Sequence, residues 1–201
     1  MRRVVLATLA ILLLAAAVLG GALWRTEATA PAADEAPVPI GGPFRLVDQT
    51  GREVTDADFR GKLMLVYFGY TYCPDMCPLG LSTITAAMDA LPPAAQAEVV
   101  PVFITVDPER DTVAVMQDYV QGFSPRLVGL TGSEAAVAEA VRAYRVYARR
   151  SEVEGADGRY LVDHSTFTYL MGRDGRYRTH FGHAVAPDEM ARRIEEELAA
   201  G

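Results

Sequence analysis

The chain is poor in three things: cysteine, histidine and positive charge. Of its 201 residues only two are cysteines, Cys73 and Cys77, and three are histidines, His164, His180 and His183. Two cysteines exclude a scaffold built on disulfides. With 50% hydrophobic residues the chain has enough apolar material to bury a core without one. Any thiol or imidazole chemistry is therefore confined to five side chains. Basic residues number 19 against 26 acidic, and Arg2, Arg3 and Arg25 all precede the first acidic residue. From residue 26 onward the balance is 16 basic against 26 acidic, which argues against the basic face that a nucleic-acid partner requires. No internal repeat is visible, which sets repeat architectures aside.

Charge is absent altogether from Val4 to Trp24, a run of 21 residues. As a helix rising about 1.5 Å per residue it spans about 30 Å, the thickness of a hydrocarbon core. Arg2 and Arg3 ahead of it and Trp24-Arg25 behind it predict a cytoplasmic N-terminus and an exported remainder. The expectation is a single-pass protein of the bacterial inner membrane whose soluble part faces the periplasm. A cleaved signal peptide is the rival, with Ala28-Thr29-Ala30 as its cleavage pattern. Against it stand the length of the run and Pro31 at the following position. Residues 26–42, TEATAPAADEAPVPIGG, are rich in Ala and Pro without apolar periodicity, as in an extended tether. The organisation predicted is an anchor over 1–25, a tether over 26–42 and a folded domain over 43–201.

Within that domain, Asp48-Gln49-Thr50-Gly51 between Phe44–Val47 and Glu53-Val54 signals a hairpin. Lys62 to Tyr70, KLMLVYFGY, and Val99 to Val106, VVPVFITV, are continuous apolar runs of the kind expected for strands covered on both faces. Leu81, Ile84, Met88 and Leu91 give a helix stopped at Pro92-Pro93. Asp111 is the expected cap of a helix facing inward through Val113, Met116 and Val120. After a short strand at Leu127–Leu130, Ser133 caps a helix with Val137, Val141 and Tyr144 on one face. Residues 149–159, RRSEVEGADGR, read as an exposed inserted loop. A strand within Tyr160–Met171 turns at Asp174-Gly175 into Tyr177–Phe181. Pro187 opens a last helix with Met190, Ile194 and Leu198 inward. This alternation predicts an α/β fold, with a central mixed sheet flanked by helices, an N-terminal β-hairpin and the inserted loop, all preceded by one transmembrane helix. A strand that ends in a cysteine-bearing loop opening a helix is the thioredoxin-like arrangement.

The chemistry sits in that loop: Gly69-Tyr-Thr-Tyr-Cys73-Pro-Asp-Met-Cys77-Pro78. Proline disfavours helical geometry in the residue before it and suits the first helical position, so Cys77 is expected at the helix N-cap. A thiol there faces free backbone N–H groups that favour the thiolate. The spacing leaves three readings open. They are a structural disulfide, a redox-active pair one residue wider than C-x-x-C, and a soft-metal site in which two thiolates suit Cu(I) and an added imidazole suits Cu(II).

Three segments taken together, Gly69 to Pro78, Val106-Asp107-Pro108-Glu109-Arg110-Asp111-Thr112 and Val162-Asp163-His164-Ser165-Thr166, resemble the SCO/SenC family in order and spacing. The resemblance runs over roughly residues 42–200. It implies a thioredoxin-like copper protein serving assembly of the dinuclear copper centre of cytochrome c oxidase. It also implies Cys73, Cys77 and His164 as copper ligands, with copper as Cu(I) and/or Cu(II) for cargo. The implied partners are the copper-receiving oxidase subunit, other periplasmic copper carriers or thiol reductants, and the membrane through the N-terminal helix. A turnover enzyme is not implied. The alternative is a periplasmic thiol–disulfide reductase that uses Cys73 and Cys77 to keep the oxidase's copper-site cysteines reduced.

Other residues carry weaker expectations. Asp163 is expected on the face opposite His164 on an extended strand, which suits a structural hydrogen bond or a contact to a ligand's outer side rather than a ligand. His180 and His183, three apart on a strand, are expected on opposite faces as surface or packing residues. Asp107, Arg110 and Asp111 read equally as a charged turn with a helix cap and as a docking element. No proline stands between Pro125 and Pro187, so the cis-proline that thioredoxins set beside their disulfide has no counterpart. Tyr70 occupies the position three before Cys73 where a peroxiredoxin carries threonine, which argues against a peroxidase.

Overall fold

A computed structural model describes residues 39–152 and 160–200. The predicted anchor and most of the tether lie outside that range. Among the described residues no helix is long and apolar enough to cross a membrane.

Among the described residues nine strands and five helices follow in order: β1 (Arg45–Asp48), β2 (Glu53–Thr55), β3 (Leu63–Gly69), α1 (Met76–Ala90), α2 (Pro93–Gln96), β4 (Val99–Thr105), α3 (Val113–Gln121), β5 (Val128–Thr131), α4 (Glu134–Ala143), β6 (Ala148–Glu152), β7 (Tyr160–His164), β8 (Thr168–Met171), β9 (Tyr177–Phe181) and α5 (Pro187–Ala200). A 3-10 turn at Asp56–Phe59 follows β2. Seven strands form one mixed sheet in the order β2-β1-β5-β4-β3-β8-β9, parallel where β3, β4 and β5 pair and antiparallel towards both edges. This is a thioredoxin-like α/β fold.

All seven residues of β3 are buried, because the strand is central and covered on both faces. Its alternation divides the core. Leu63, Leu65 and Tyr67 face the layer of α1, α3 and α5, with Leu81, Ile84, Met88, Met116 and Ile194. Met64, Val66 and Phe68 face the layer of β1, β2 and α4, with Leu46, Val54, Val137 and Tyr144. Just ahead of residue 43, the Gly41 N–H donates to the Ala143 carbonyl at 2.9 Å.

Two expectations change. The inserted loop begins as a strand: Ala148–Glu152 pairs antiparallel with Tyr160–His164 in a separate two-stranded sheet. Its polar ARRSE sequence hid it, since a mostly exposed strand needs no apolar run. Residues 153–159 lie outside the described range. The single strand expected within Tyr160–Met171 is two, β7 and β8, separated by Ser165-Thr166-Phe167 and belonging to different sheets.

Candidate metal centre

The cysteine loop leaves the end of β3, where the chain must turn immediately into α1. The Cys73 N–H bonds to the Tyr70 carbonyl at 3.2 Å, closing a tight turn over 70–73. Asp75 is the N-cap of α1, so Cys77 is the second residue inside the helix rather than its cap. Pro78 is tolerated one position further in because the first-turn N–H groups have no helical partner to lose. The consequence for Cys77 is the one expected of a helix start: its own N–H is free and donates to Cys73 Sγ at 3.3 Å.

Cys77 is buried and Cys73 half-buried, and both are free thiols. Cys77 packs in the core cluster with Tyr67, Leu81 and Phe103. Gly69 makes this packing possible, since a Cβ there would stand 2.6 Å from Cys77 Sγ and 2.9 Å from the Phe103 ring. The loop is pinned from outside by Asp111, whose carboxylate accepts from Thr71 N–H (3.0 Å), Thr71 Oγ1 (2.6 Å) and Thr105 Oγ1 (2.6 Å). Burial pushes the Asp111 pKa up despite these donors. With its carboxylate committed there, Asp111 does not cap α3. Thr112 does, accepting from Val115 N–H at 3.4 Å.

His164 arrives from β7, and its Nε2 lies 3.3 Å from Cys77 Sγ. Its Nδ1 is 2.9 Å from the Ser165 carbonyl, which can only accept, so Nδ1 carries a proton and Nε2 is the atom presented to the sulfurs. Tyr67 and Tyr70 meet the imidazole edge-on, with ring centroids 6.3 Å and 5.8 Å away. The ligand atoms of Cys73, Cys77 and His164 all lie within 4.8 Å of one another, the one such group among the described residues.

The electrostatics of the sulfurs are unequal. A hydrogen bond from the Cys77 thiol lowers the Cys73 pKa, burial opposes the shift, and His164 with the N–H groups of residues 75 and 77 reinforces it. The same shared hydrogen bond, and then burial, raises Cys77. The pair therefore holds one proton between a more accessible thiolate and a buried thiol. Burial, followed by the nearby sulfur charges, raises the phenol of Tyr67.

Asp163 is exposed and accepts from Ser151 Oγ at 2.6 Å, the structural hydrogen bond expected of it. His180 is exposed on β9, beside Tyr177 and Phe167. His183 lies beyond the end of that strand in a turn, so the expected opposite-face pairing does not arise. Neither joins the Cys73–Cys77–His164 group. Gly69, Tyr67 and Thr71 were missed as site residues by sequence reading, because their signal is proximity, which a spacing pattern does not carry.

The SCO1/SenC family profile matches residues 32–199. An SCO2-like protein of Rickettsia prowazekii is 39% identical over 160 residues, covering 80% of this chain and 78% of its own length. The mitochondrial SCO1 homolog 1 of Arabidopsis thaliana is 43% identical over 159 residues, 79% of this chain and 47% of that protein. Among solved structures, Bradyrhizobium japonicum ScoI with copper bound superposes with a TM-score of 0.73 at 44% identity, covering 79% of this chain and 99% of that one.

Proposed function

Because the chain belongs to the SCO1/SenC family, we propose that it is a copper chaperone. It captures copper through Cys73, Cys77 and His164 and delivers it to the copper-receiving subunit of cytochrome c oxidase. The observation that carries this reading is the convergence of two sulfurs and an imidazole nitrogen within 4.8 Å. Two thiolates and one imidazole suit Cu(I), and also Cu(II). Capture displaces the one proton the cysteines share, and Nε2 supplies the third ligand while Nδ1 keeps its bond to the Ser165 carbonyl. Handover by ligand exchange requires the recipient to touch this face. The large apolar side chains exposed among the described residues, Tyr72, Leu79, Tyr147, Leu161 and Phe167, all lie on segments that carry or flank the three ligands.

In the same proposal, residues 4–24 anchor the chain in the bacterial inner membrane and residues 43–201 fold on the periplasmic side. Edman sequencing of the mature protein checks this, and a start near Pro31 would replace the anchor with a cleaved leader.

A second reading rests on the inequality of the thiols. A half-buried Cys73 thiolate backed by a buried Cys77 suits attack on a client disulfide. Cys73 would expel one client thiolate, and Cys77 would then displace the other, leaving a Cys73–Cys77 disulfide and a reduced client. Such a reductase needs no imidazole ligand, although His164 favours the Cys73 thiolate, so the reduction potential of the variant is measured alongside. The deciding experiment puts His164→Ala into a strain lacking this chain and measures oxidase activity at limiting copper. The expected result is loss of oxidase activity with thiol exchange intact. Full restoration of the oxidase would overturn the chaperone reading in favour of the reductase.

A further inference from the structure

The ribbon that brings His164 to the site forms no ladder with the main sheet among the described residues. Something else must set its position. The Val106–Thr112 segment, in which Thr112 rather than Asp111 caps α3, supplies it. Asp107 is fully buried. It accepts from Tyr160 Oη at 2.8 Å, from Arg110 Nε, and lies 3.5 Å from Arg150 Nη2. Tyr160 and Arg150 belong to the two strands of the ribbon. Arg110 Nη1 donates to the Tyr160 carbonyl at 3.0 Å, and its guanidinium lies 3.7 Å over the Tyr160 ring. The same guanidinium is 5.0 Å from the ring of Tyr72 and 5.6 Å from that of Tyr70, both on the cysteine loop. Its Nη2 is buried and makes no hydrogen bond among the described residues, so stacking between aromatic faces is what holds that end.

One planar cation thus touches the loop that presents Cys73 and the strand that presents His164, and it is fixed in place by a buried carboxylate. Building on the copper-site reading, we infer that Arg110, seated on Asp107, is a positioning residue that holds the His164 strand against the cysteine loop. It touches no ligand atom. Lysine at this position keeps the charge on Asp107 but loses the plane and the fork that make both contacts.

The test uses the full chain in four forms: wild type, Arg110→Lys, His164→Ala and the double variant. Tyr160→Phe, which removes only the hydroxyl on Asp107, is a fifth form that leaves the core untouched. Cu(I) affinity is read by chelator competition, and the Cu(II) complex by its electron paramagnetic resonance spectrum. The position of the imidazole in the metal-free chain is read from the His164 ring proton resonances, which the edge-on Tyr67 and Tyr70 rings displace. Thermal unfolding is followed throughout.

Arg110→Lys is expected to weaken Cu(I) binding several-fold, up to the about 10-fold loss expected from removing the imidazole itself. It is also expected to alter the Cu(II) spectrum and move the His164 resonances. In the His164→Ala background the same change should leave Cu(I) affinity unaltered. An equal loss in both backgrounds overturns the inference, because Arg110 would then act on the site by another route. Unmoved His164 resonances in both Arg110→Lys and Tyr160→Phe overturn it as well, whatever the copper affinities. A wild-type chain that binds no copper would sink the chaperone reading alone, since the resonances still decide where the imidazole is held.

Discussion

The two cysteines and the histidine are presented by parts of the molecule built on different principles. The cysteine side is core: β3 is buried along its whole length, Cys77 packs against Tyr67 and Phe103, and Asp111 ties down the loop from behind. The histidine side is a polar two-stranded ribbon in which only Val162 is buried. Its attachment runs through Val162, in the core cluster that also holds Cys77, through Tyr160 and the Asp107 cluster, and through the exposed Arg150 ion pairs to Glu109 (2.7 Å) and Glu134 (4.0 Å). Each buried methylene contributes about 0.8 kcal/mol, whereas an exposed ion pair contributes about 0–1 kcal/mol in total. The thiols are therefore the fixed half of the site and the imidazole the adjustable half. For the proposed chaperone, that division would let one ligand leave without disturbing the core.

The comparison is tested most severely at the fixed half. Cys77→Ser is expected to lower Cu(I) affinity by more than about 100-fold, beyond the range for residues that merely orient a ligand. Chelator competition on the reduced chain measures it. Oxidising the wild-type pair to a disulfide should have the same effect, since it removes both thiolates. A chain that kept its Cu(I) affinity after oxidation would place the metal elsewhere. His164→Ala, at the adjustable half, should abolish a stable Cu(II) complex but weaken Cu(I) by only about tenfold, about 1.4 kcal/mol, because two thiolates hold that ion by themselves. Equal losses from the two substitutions would erase the distinction between the halves.

Gly69→Ala addresses the packing beneath the fixed half. The added methyl would meet Cys77 Sγ at 2.6 Å and the Phe103 ring at 2.9 Å, on a strand with no room to move. Overpacking of this kind costs about 1–3 kcal/mol. Thermal unfolding should show that loss, and the Cys73–Cys77 reduction potential should shift with the displaced sulfur. Unchanged stability would mean the core beside Cys77 is looser than its burial indicates.

What could be read in advance follows the same division. The main sheet was legible because its strands are covered on both faces and announce themselves as apolar runs. Ser133 was legible as a cap, and its Oγ does accept from Ala136 N–H at 3.2 Å. The ribbon was not, since ARRSE has neither an apolar run nor an alternation deep enough to register. Cys77 stands two positions past the residue that caps α1, and Asp111 one position before the residue that caps α3. A local rule gave proline the first helical position, and another gave a carboxylate the cap. Tertiary demands won in both cases: Asp75 starts the helix earlier, and Thr71 with Thr105 occupies the Asp111 oxygens. The grouping of Cys73, Cys77 and His164 was implied by family resemblance alone, because nothing local relates His164 to Cys77, 87 residues earlier in the chain.

The smallest effect is expected where the chain passes from α4 towards the ribbon. The helix closes with the Arg145 N–H on the Arg142 carbonyl at 3.1 Å and the Val146 N–H on the Val141 carbonyl at 3.0 Å, a pattern that needs a left-handed residue at 145. Arginine occupies it at φ 56° and is exposed there. A side chain in that conformation costs about 1–2 kcal/mol, which glycine avoids. Glycine in turn loses about 0.5–1 kcal/mol through the greater freedom of the unfolded chain. The difference favours Arg145→Gly by about 0.5–1 kcal/mol, a rise of a few degrees in melting temperature for a domain of this size. Copper affinity should not move, because the substitution relieves the backbone without shifting either half of the site. A melting temperature that fell would show that the arginine side chain holds the junction. A rise accompanied by altered copper affinity would show that the ribbon's position depends on this hinge as well as on the Asp107 cluster, and the adjustable half would then begin at residue 145.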